Sequence, residues 1–177
     1  MSKGYSGLFS GTKGERAYKG TPKQMQSHIT SWAHNTADRL EKVSKRQREK
    51  FNTATVAYDE STGKYYNGRN HGIEIDHEKK NPILFGDDTH EGLLPKQSLN
   101  HLVVGNCAEI HAINQALNDG AKIENLKIYT IHTTKSSFGK PKAACENCTY
   151  ALKGNIKENY TGNRPKSPAR KRSGSSL

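Results

Sequence analysis

The sequence contains no long apolar run. A membrane-spanning helix needs about 18 or more consecutive apolar residues, so we expect neither a membrane span nor a membrane partner. Hydrophobic residues make up only 32% of the 177 residues, which predicts one domain with a modest core and some chain outside it. No stretch has the pattern of a secretory signal peptide. We therefore expect a soluble, single-domain, monomeric protein.

Cysteine is scarce, and its odd count argues against a disulfide framework. The chain has three cysteines, Cys107, Cys145 and Cys148. With an odd number and no signal peptide, the thiols are expected to be reduced or metal-bound. The Cys-x-x-Cys pair alone could be a redox pair or half of a structural zinc site, so that pair by itself indicates no function.

The three cysteines together with Glu109 form a more specific pattern. Three thiolates suit a tetrahedral zinc with one open position, and a glutamate that is not a ligand can move protons for an attacking water. We predict that Cys107, Cys145 and Cys148 bind one catalytic Zn²⁺ and that Glu109 is the catalytic residue of a hydrolytic deaminase. The alternative, a closed structural site, needs a fourth ligand, and His111 is the nearest candidate on the helical face of Cys107.

Positive charge is concentrated at the two ends of the chain. Residues 1–50 carry 11 basic and 4 acidic residues, and residues 150–177 carry 7 basic and 1 acidic residue. The middle of the chain has a net charge of −2, although the whole chain has +11. Basic flanks beside a nearly neutral site suit a polyanionic substrate such as DNA or RNA. The alternative is that the flanks only keep a small domain soluble.

Composition divides the chain into four segments. They are a flexible glycine-rich leader (1–20), an amphipathic basic helix (21–50), the zinc deaminase domain (51–156) and a basic disordered tail (157–177). The helix has start signals at Thr21, Pro22 and Gln24. Its apolar stripe consists of Met25, Ile29, Trp32, Thr36, Leu40 and Val43. Within the third segment we predict strands at 53–58, 64–67 and 126–133, helices at 107–118 and 144–153, and a loop at 71–95.

The segment from Asn106 to Leu117 and the segment from Ala144 to Cys148 resemble the YwqJ-like deaminases, a bacterial toxin branch of the cytidine-deaminase-like superfamily. The resemblance covers about residues 50–155. It implies a three-layer α/β/α sandwich with a mixed sheet, zinc on the three cysteines, and Glu109 as proton shuttle. It also implies cytosine in nucleic acid as the target, delivery as a toxin domain into the cytoplasm of a target cell, and an immunity protein as partner. The superfamily usually has proline where this chain has Ala144.

Substrate contacts are predicted at five positions. Asn67, Asn70 and His71 follow the predicted hairpin, where this fold brings side chains toward sugar and base, although turn chemistry explains the asparagines equally well. His132 ends a strand and could stack on a base or be an ordinary packed histidine. Ala108 lies between the first cysteine and the catalytic glutamate.

The function predicted from the sequence is conversion of cytosine to uracil in DNA or RNA by a toxin effector domain. Two alternatives remain open: a free-nucleoside (cytidine) deaminase, and a non-catalytic zinc-stabilised nucleic-acid-binding module. Adenine is a further possible target, since the same chemistry serves both rings.

Overall fold

The computed structural model describes residues 19–70 and 75–163. The first 18 residues of the leader, His71, and the tail from residue 164 lie outside these ranges. The described helices are α1 (Pro22–Val43), α2 (Lys45–Lys50), α3 (Pro82–Phe85), α4 (Ala108–Asn118) and α5 (Glu146–Leu152). The strands are β1 (Thr53–Asp59), β2 (Lys64–Arg69), β3 (Leu126–His132) and β4 (Glu158–Asn159), with short 3₁₀ turns at His77–Lys79 and Ile123–Asn125.

The strands form a mixed sheet in the order β2-β1-β3-β4. β1 is antiparallel to both of its neighbours, whereas β4 runs parallel to β3. The β1–β2 hairpin closes as predicted, because the Asp59 carboxylate accepts hydrogen bonds from the backbone N–H and the hydroxyl of Ser61. Gly63 completes the turn with a φ of +77°. The α/β class and the mixed sheet are confirmed.

The basic helix begins where the sequence predicts and ends earlier. Thr21 caps α1 by accepting a hydrogen bond from the Gln24 N–H at 3.3 Å. The predicted single helix over 21–50 is divided at Ser44, whose extended backbone ends α1 and whose hydroxyl caps α2. Val43 is 77% exposed, so the predicted stripe is wrong at its end. Among the described residues, no helix is both long and apolar enough to span a membrane.

Helices cover both faces of the sheet. Successive side chains of a strand point to opposite faces, so both faces present residues that must be buried. One face of β1 and β3 packs on α1, with Met25, Ile29, Leu40, Val56 and Ile131 in the same buried cluster. The other face packs on α4 and α5. That cluster contains Ala57, Ile110, Ile113, Ile128, Cys148 and Leu152. The second core therefore includes a residue of the cysteine motif itself.

The chain stays in the fold beyond residue 156, where the sequence analysis begins the tail. The Lys157 N–H donates to the Leu126 carbonyl and the Tyr160 N–H to the Ile128 carbonyl. The Tyr160 side chain packs on the core against α1, and its hydroxyl donates to the Gly20 carbonyl. Residues 157–163 are ordered because they add β4 to the sheet, which hydropathy alone does not indicate.

A buried hydroxyl pair links the two central strands and gives a test of the sheet. Thr55 Oγ1 and Thr130 Oγ1 lie 2.8 Å apart, and both side chains are fully buried. Thr55→Val leaves one hydroxyl without its partner, so we expect the free energy of unfolding to fall by about 1–3 kcal/mol. The double variant Thr55→Val/Thr130→Val removes both hydroxyls and should recover most of that loss in urea unfolding. A double variant less stable than the single variant would contradict this account.

Candidate metal centre

A cavity of about 320 Å³ opens beside the N-termini of α4 and α5. Its walls come from the start of β1, the loop before α4, and both cysteine motifs. The lining residues used below are Thr53, Asn70, Leu102, Val103, Asn106, Cys107, Ala108, Glu109, Lys142, Cys145 and Asn147. The fold thus brings two motifs that are 38 residues apart into one concave site.

The three cysteine sulfurs converge at this cavity. The Sγ atoms of Cys107, Cys145 and Cys148 all lie within 4.8 Å of one another. Cys107 is the N-cap of α4 and Cys145 is the N-cap of α5, while Cys148 lies in the first turn of α5. Helix N-termini favour negative charge, so both helices stabilise thiolates here. The predicted ligand set is therefore assembled in space.

The donor set fits a metal ion better than it fits a disulfide. The sulfurs of Cys107 and Cys148 lie at disulfide distance, and Cys145 is free. The Cα atoms of Cys107 and Cys148 are 7.6 Å apart, whereas disulfide-bonded cysteines usually keep theirs within about 4.4–6.8 Å. A tetrahedral zinc with bonds of about 2.3 Å can be shared by cysteines whose Cα atoms are further apart than those of a disulfide. The backbone spacing and the third sulfur both favour a shared metal.

Glu109 lies beside the sulfurs without belonging to the ligand group. Its side chain is buried, with only 3% of the residue exposed. Glu109 Oε1 lies 4.0 Å from Cys148 Sγ. His111, the alternative fourth ligand, is outside the group of atoms that converge. The geometry therefore resembles an open three-sulfur site with an adjacent carboxylate more than a closed four-ligand site.

Two residues inside the Cys-x-x-Cys motif, Glu146 and Asn147, hold the loop at 98–100, and sequence reasoning missed them. Asn147 accepts a hydrogen bond from the Leu99 N–H at 2.8 Å and donates to Ser98 Oγ. Glu146 Oε1 accepts from Asn100 Nδ2 at 2.9 Å. Both residues are buried. The only signal in the sequence was two polar residues between cysteines that point into a core.

The loop that Asn147 and Glu146 hold leads into two apolar residues at the rim of the cavity. Leu102 and Val103 follow the hydrogen-bonded residues 98–100 and line the cavity, yet they are 45% and 57% exposed. Exposed aliphatic side chains at the mouth of a cavity suit contact with a flat apolar ligand surface. The loop at 98–103 is therefore part of the site.

Asn70 and Ala108 line the cavity, but the polar atoms of Asn70 are already used. Its Oδ1 accepts from the N–H groups of Asn52 and Thr53, both at 3.0 Å, and its Nδ2 donates to the Lys50 carbonyl at 2.8 Å. Asn70 thus fixes the start of β1. A contact from Asn70 to substrate would have to compete with these bonds.

Asn67 and His132 do not line this cavity. Asn67 Oδ1 lies 2.9 Å from His28 Nε2, on the side of β2 that faces α1. His132 ends β3, and burial together with the charges of Lys142 and Lys140 lowers its pKa, so its ring is neutral at pH 7. His71 lies outside the described residues.

One polar atom of the cavity wall has no partner in the described part of the chain. The amide oxygen of Asn106 is buried and makes no hydrogen bond there. Buried polar atoms are nearly always paired in folded proteins. An amide oxygen directly before Cys107 is therefore an acceptor that a bound polar ligand or water can satisfy.

Ala144, the departure from the superfamily pattern, has a structural use. Its N–H donates to the Gly162 carbonyl at 2.9 Å and connects the second cysteine motif to the C-terminal segment. Proline has no N–H and could not make this bond. Alanine here fits a fold that anchors residues 157–163 beside the metal site.

Comparison of the chain with protein-family models, with curated proteins and with solved structures finds no match.

The first prediction from the site concerns metal content. Protein purified under reducing conditions should contain one Zn²⁺ per chain. Unfolding it in denaturant with a chelator present should expose three reactive thiols. Cys145→Ser should weaken zinc binding by more than the roughly 10–100-fold that loss of a supporting hydrogen bond costs. Metal analysis with thiol titration tests both. Metal-free protein that is purified and unfolded without reductant and yields only one thiol would instead establish a Cys107–Cys148 disulfide.

The second prediction concerns Gly68, which sets how closely α4 approaches β2. A Cβ atom at Gly68 would lie 2.5 Å from both the Ala108 carbonyl oxygen and the Ala112 nitrogen. Gly68→Ala should therefore push the N-terminus of α4 outward, cost about 1–3 kcal/mol of stability and lower zinc affinity.

Gly120→Ala is the matched control at the other end of α4. That position has a φ of +97° and open space around it, so alanine adds backbone strain of about 1–2 kcal/mol without a clash. We expect this variant to lose stability and keep zinc affinity. Equal zinc affinity in the two variants would show that the α4 approach does not control the site.

Proposed function

We propose that this protein is a zinc-dependent hydrolytic deaminase that converts cytosine to uracil in nucleic acid, in the manner of the YwqJ-like deaminases. The observation that carries the proposal is the convergence of three cysteine sulfurs with the buried carboxylate of Glu109 in one cavity. Neither feature alone is specific. Together they provide a metal position and a proton acceptor that can act on the same water.

Cys107, Cys145 and Cys148 would hold the zinc. When bound, zinc would supply Lewis-acid activation of a water molecule. The two helix N-termini offset part of the negative charge that three thiolates bring. These residues leave room for water because His111 does not join them.

Glu109 would carry the protons of the reaction. Hydrolysis adds water across the ring carbon–nitrogen double bond at the carbon that bears the amino group, then breaks the bond from that carbon to the amino nitrogen and releases ammonia. The Glu109 carboxylate would accept a proton from water and deliver it to the ring nitrogen. It would then move the proton of the added hydroxyl to the amino group, which leaves as ammonia while the hydroxyl becomes the product carbonyl. Its position in the first turn of α4, 4.0 Å from Cys148 Sγ, puts it beside the metal position without making it a ligand.

The remaining cavity wall suits a heterocyclic base. Leu102 and Val103 offer an apolar surface for a ring face, and the Asn106 amide oxygen offers an acceptor for an amino group. The volume of about 320 Å³ is at the small end of ligand sites. Ala108 keeps the wall beside Glu109 free of side-chain bulk.

The arrangement of the elements supports a cytidine-deaminase-like sandwich. In the described chain the mixed sheet lies between α1 and the α4–α5 pair, and both cysteine motifs start helices on one face. The proposed relationship to the toxin branch brings with it delivery into a target cell and an immunity protein as partner. Charge favours a polymeric substrate over a free nucleoside, since both chain ends are strongly basic.

The proposal is tested by product analysis with Glu109 variants. Zinc-loaded protein should release uracil-containing nucleosides from single-stranded DNA, duplex DNA or RNA, as measured by mass spectrometry after digestion. Glu109→Ala and Glu109→Gln should keep zinc and lose at least about 10²–10⁴-fold in turnover, the usual contribution of general acid–base catalysis.

Glu124→Ala is the control, because Glu124 is exposed in the turn before β3, outside the cavity lining. It should leave turnover unchanged. Conversion of free cytidine in preference to every polymer would favour the nucleoside deaminase. Zinc-loaded protein that yields no uridine, deoxyuridine or inosine from any substrate would favour the non-catalytic zinc module.

A further inference from the structure

A second groove lies at the edge of the sheet, between β2 and α1. We call it the edge groove. It has a volume of about 500 Å³, and β2 is the outermost strand on this side. The lining residues that matter here are Trp32, Arg39, Tyr65, Tyr66, Arg69 and Gln115.

The edge groove carries positive charge that the described protein does not neutralise. Arg39 and Arg69 both line it, and no Asp or Glu does. Within residues 19–70 and 75–163, neither guanidinium lies within salt-bridge distance of a carboxylate. Burial, and then the positive charge of Arg39, lower the pKa of Arg69. Two arginines that raise each other's energy provide a site for an anion, because an anion between them relieves the repulsion.

Aromatic rings line the same groove. Trp32 packs against the core between α1 and the sheet, yet its side chain is only half-buried. The hydroxyls of Tyr65 and Tyr66 are anchored, to the Lys19 carbonyl and to the Asp119 carboxylate respectively. Arg69 is held with its guanidinium 5.9 Å from the centre of the Phe51 ring. These groups are therefore preorganised, which lowers the entropic cost of binding.

We call the cavity beside the cysteine motifs the metal cavity. Neighbouring backbone residues line the edge groove and the metal cavity. Arg69 lines the groove and the next residue, Asn70, lines the cavity, so the two positions are about 3.8 Å apart along the chain. Gly68 lines the groove and packs tightly against the backbone of Ala108, which lines the cavity. The end of β2 therefore contributes to both sites.

We propose that the edge groove binds a single-stranded nucleic acid next to the base held in the metal cavity. Arg39 and Arg69 would contact consecutive phosphates, and Trp32 would stack on an unpaired base. Unpaired bases expose the faces that aromatic side chains stack on, whereas duplex bases are already stacked. The placement next to the cavity rests on the proposed function, but strand binding itself needs no turnover.

The single tryptophan of the chain makes the test direct. Zinc-loaded Glu109→Ala protein is titrated with an unlabelled 15-nucleotide single-stranded DNA, the same sequence in RNA, the duplex, and an abasic 15-mer. Trp32 emission is recorded together with the anisotropy of labelled versions. We expect quenching by single-stranded DNA or RNA at the concentration where anisotropy rises, and weaker quenching by the duplex and the abasic strand.

Charge variants test the phosphate contacts. The slope of log affinity against log salt for a single strand changes by about 0.7 per phosphate contact. Arg39→Gln should therefore lower the slope by about 0.7, and Arg39→Gln/Arg69→Gln by about 1.4. The control Arg46→Gln/Lys153→Gln removes the same charge from exposed positions outside the edge groove and should leave the slope nearly unchanged.

Several outcomes would overturn the inference. Binding by anisotropy without any change in Trp32 emission would place the strand elsewhere. Equal slopes in the groove variants and the control would mean that the edge groove does not contact phosphate and would leave an acidic protein partner as its ligand. Because Arg39 is exposed, its single variant remains informative even if the Arg69 substitution unfolds the protein.

The result is separable from the deaminase proposal. Groove-dependent strand binding without product in the wild-type protein would support the edge groove and reject the enzyme. Product formation with no effect of the groove variants on affinity would support the enzyme and reject the edge groove.

Discussion

The close approach of α4 to the sheet is the contact on which the candidate site depends. Cys107, Ala108 and Glu109 stand at the start of this helix, so the depth of the helix fixes the position of one sulfur and the carboxylate. Gly68 on β2 has no side chain, and Ala108 and Ala112 are small, so the backbones of strand and helix can meet directly. A larger residue at this contact would move the chemistry as well as reduce the packing.

The other half of the site is held by a different set of bonds. Cys148 lies 41 residues after Cys107. It belongs to α5, which has only seven residues, and a helix this short depends on tertiary contacts for its stability and position. Burial of Cys148 and Leu152 against the sheet orients it. Asn147 ties α5 to the loop before α4, and the backbone of Ala144 ties it to the C-terminal segment. Hydrogen bonds to neighbouring segments and burial in the core therefore act together to fix the position of the second cysteine motif.

Sequence reasoning recovered what local chemistry decides. The cap at Thr21, the β1–β2 hairpin and the helix after Cys107 follow from short-range rules, and the spacing of the cysteines indicated a shared ligand set. It failed where distant packing decides. Val43 fits an apolar stripe but lies past the end of the sheet contact, and residues 157–163 look like a tail until β3 offers a strand to pair with. The role of Asn70 at the start of β1 required knowledge of its tertiary partners.

The two proposed sites divide the work between chemistry and binding in a way that matches the charge of the chain. The metal cavity lies in the part of the sequence with a net charge of −2, and its lining contains both Glu109 and Lys142. The base proposed to bind there is uncharged and suits the apolar side chains of Leu102 and Val103. Arg39, from the basic N-terminal part of the chain, and Arg69, from the central part, line the edge groove, and neither has a salt-bridge partner among the described residues. Under the two proposals a nucleic-acid strand would use both sites, because its neutral base and its charged backbone are separated by one sugar, whereas a free nucleoside would use only the first.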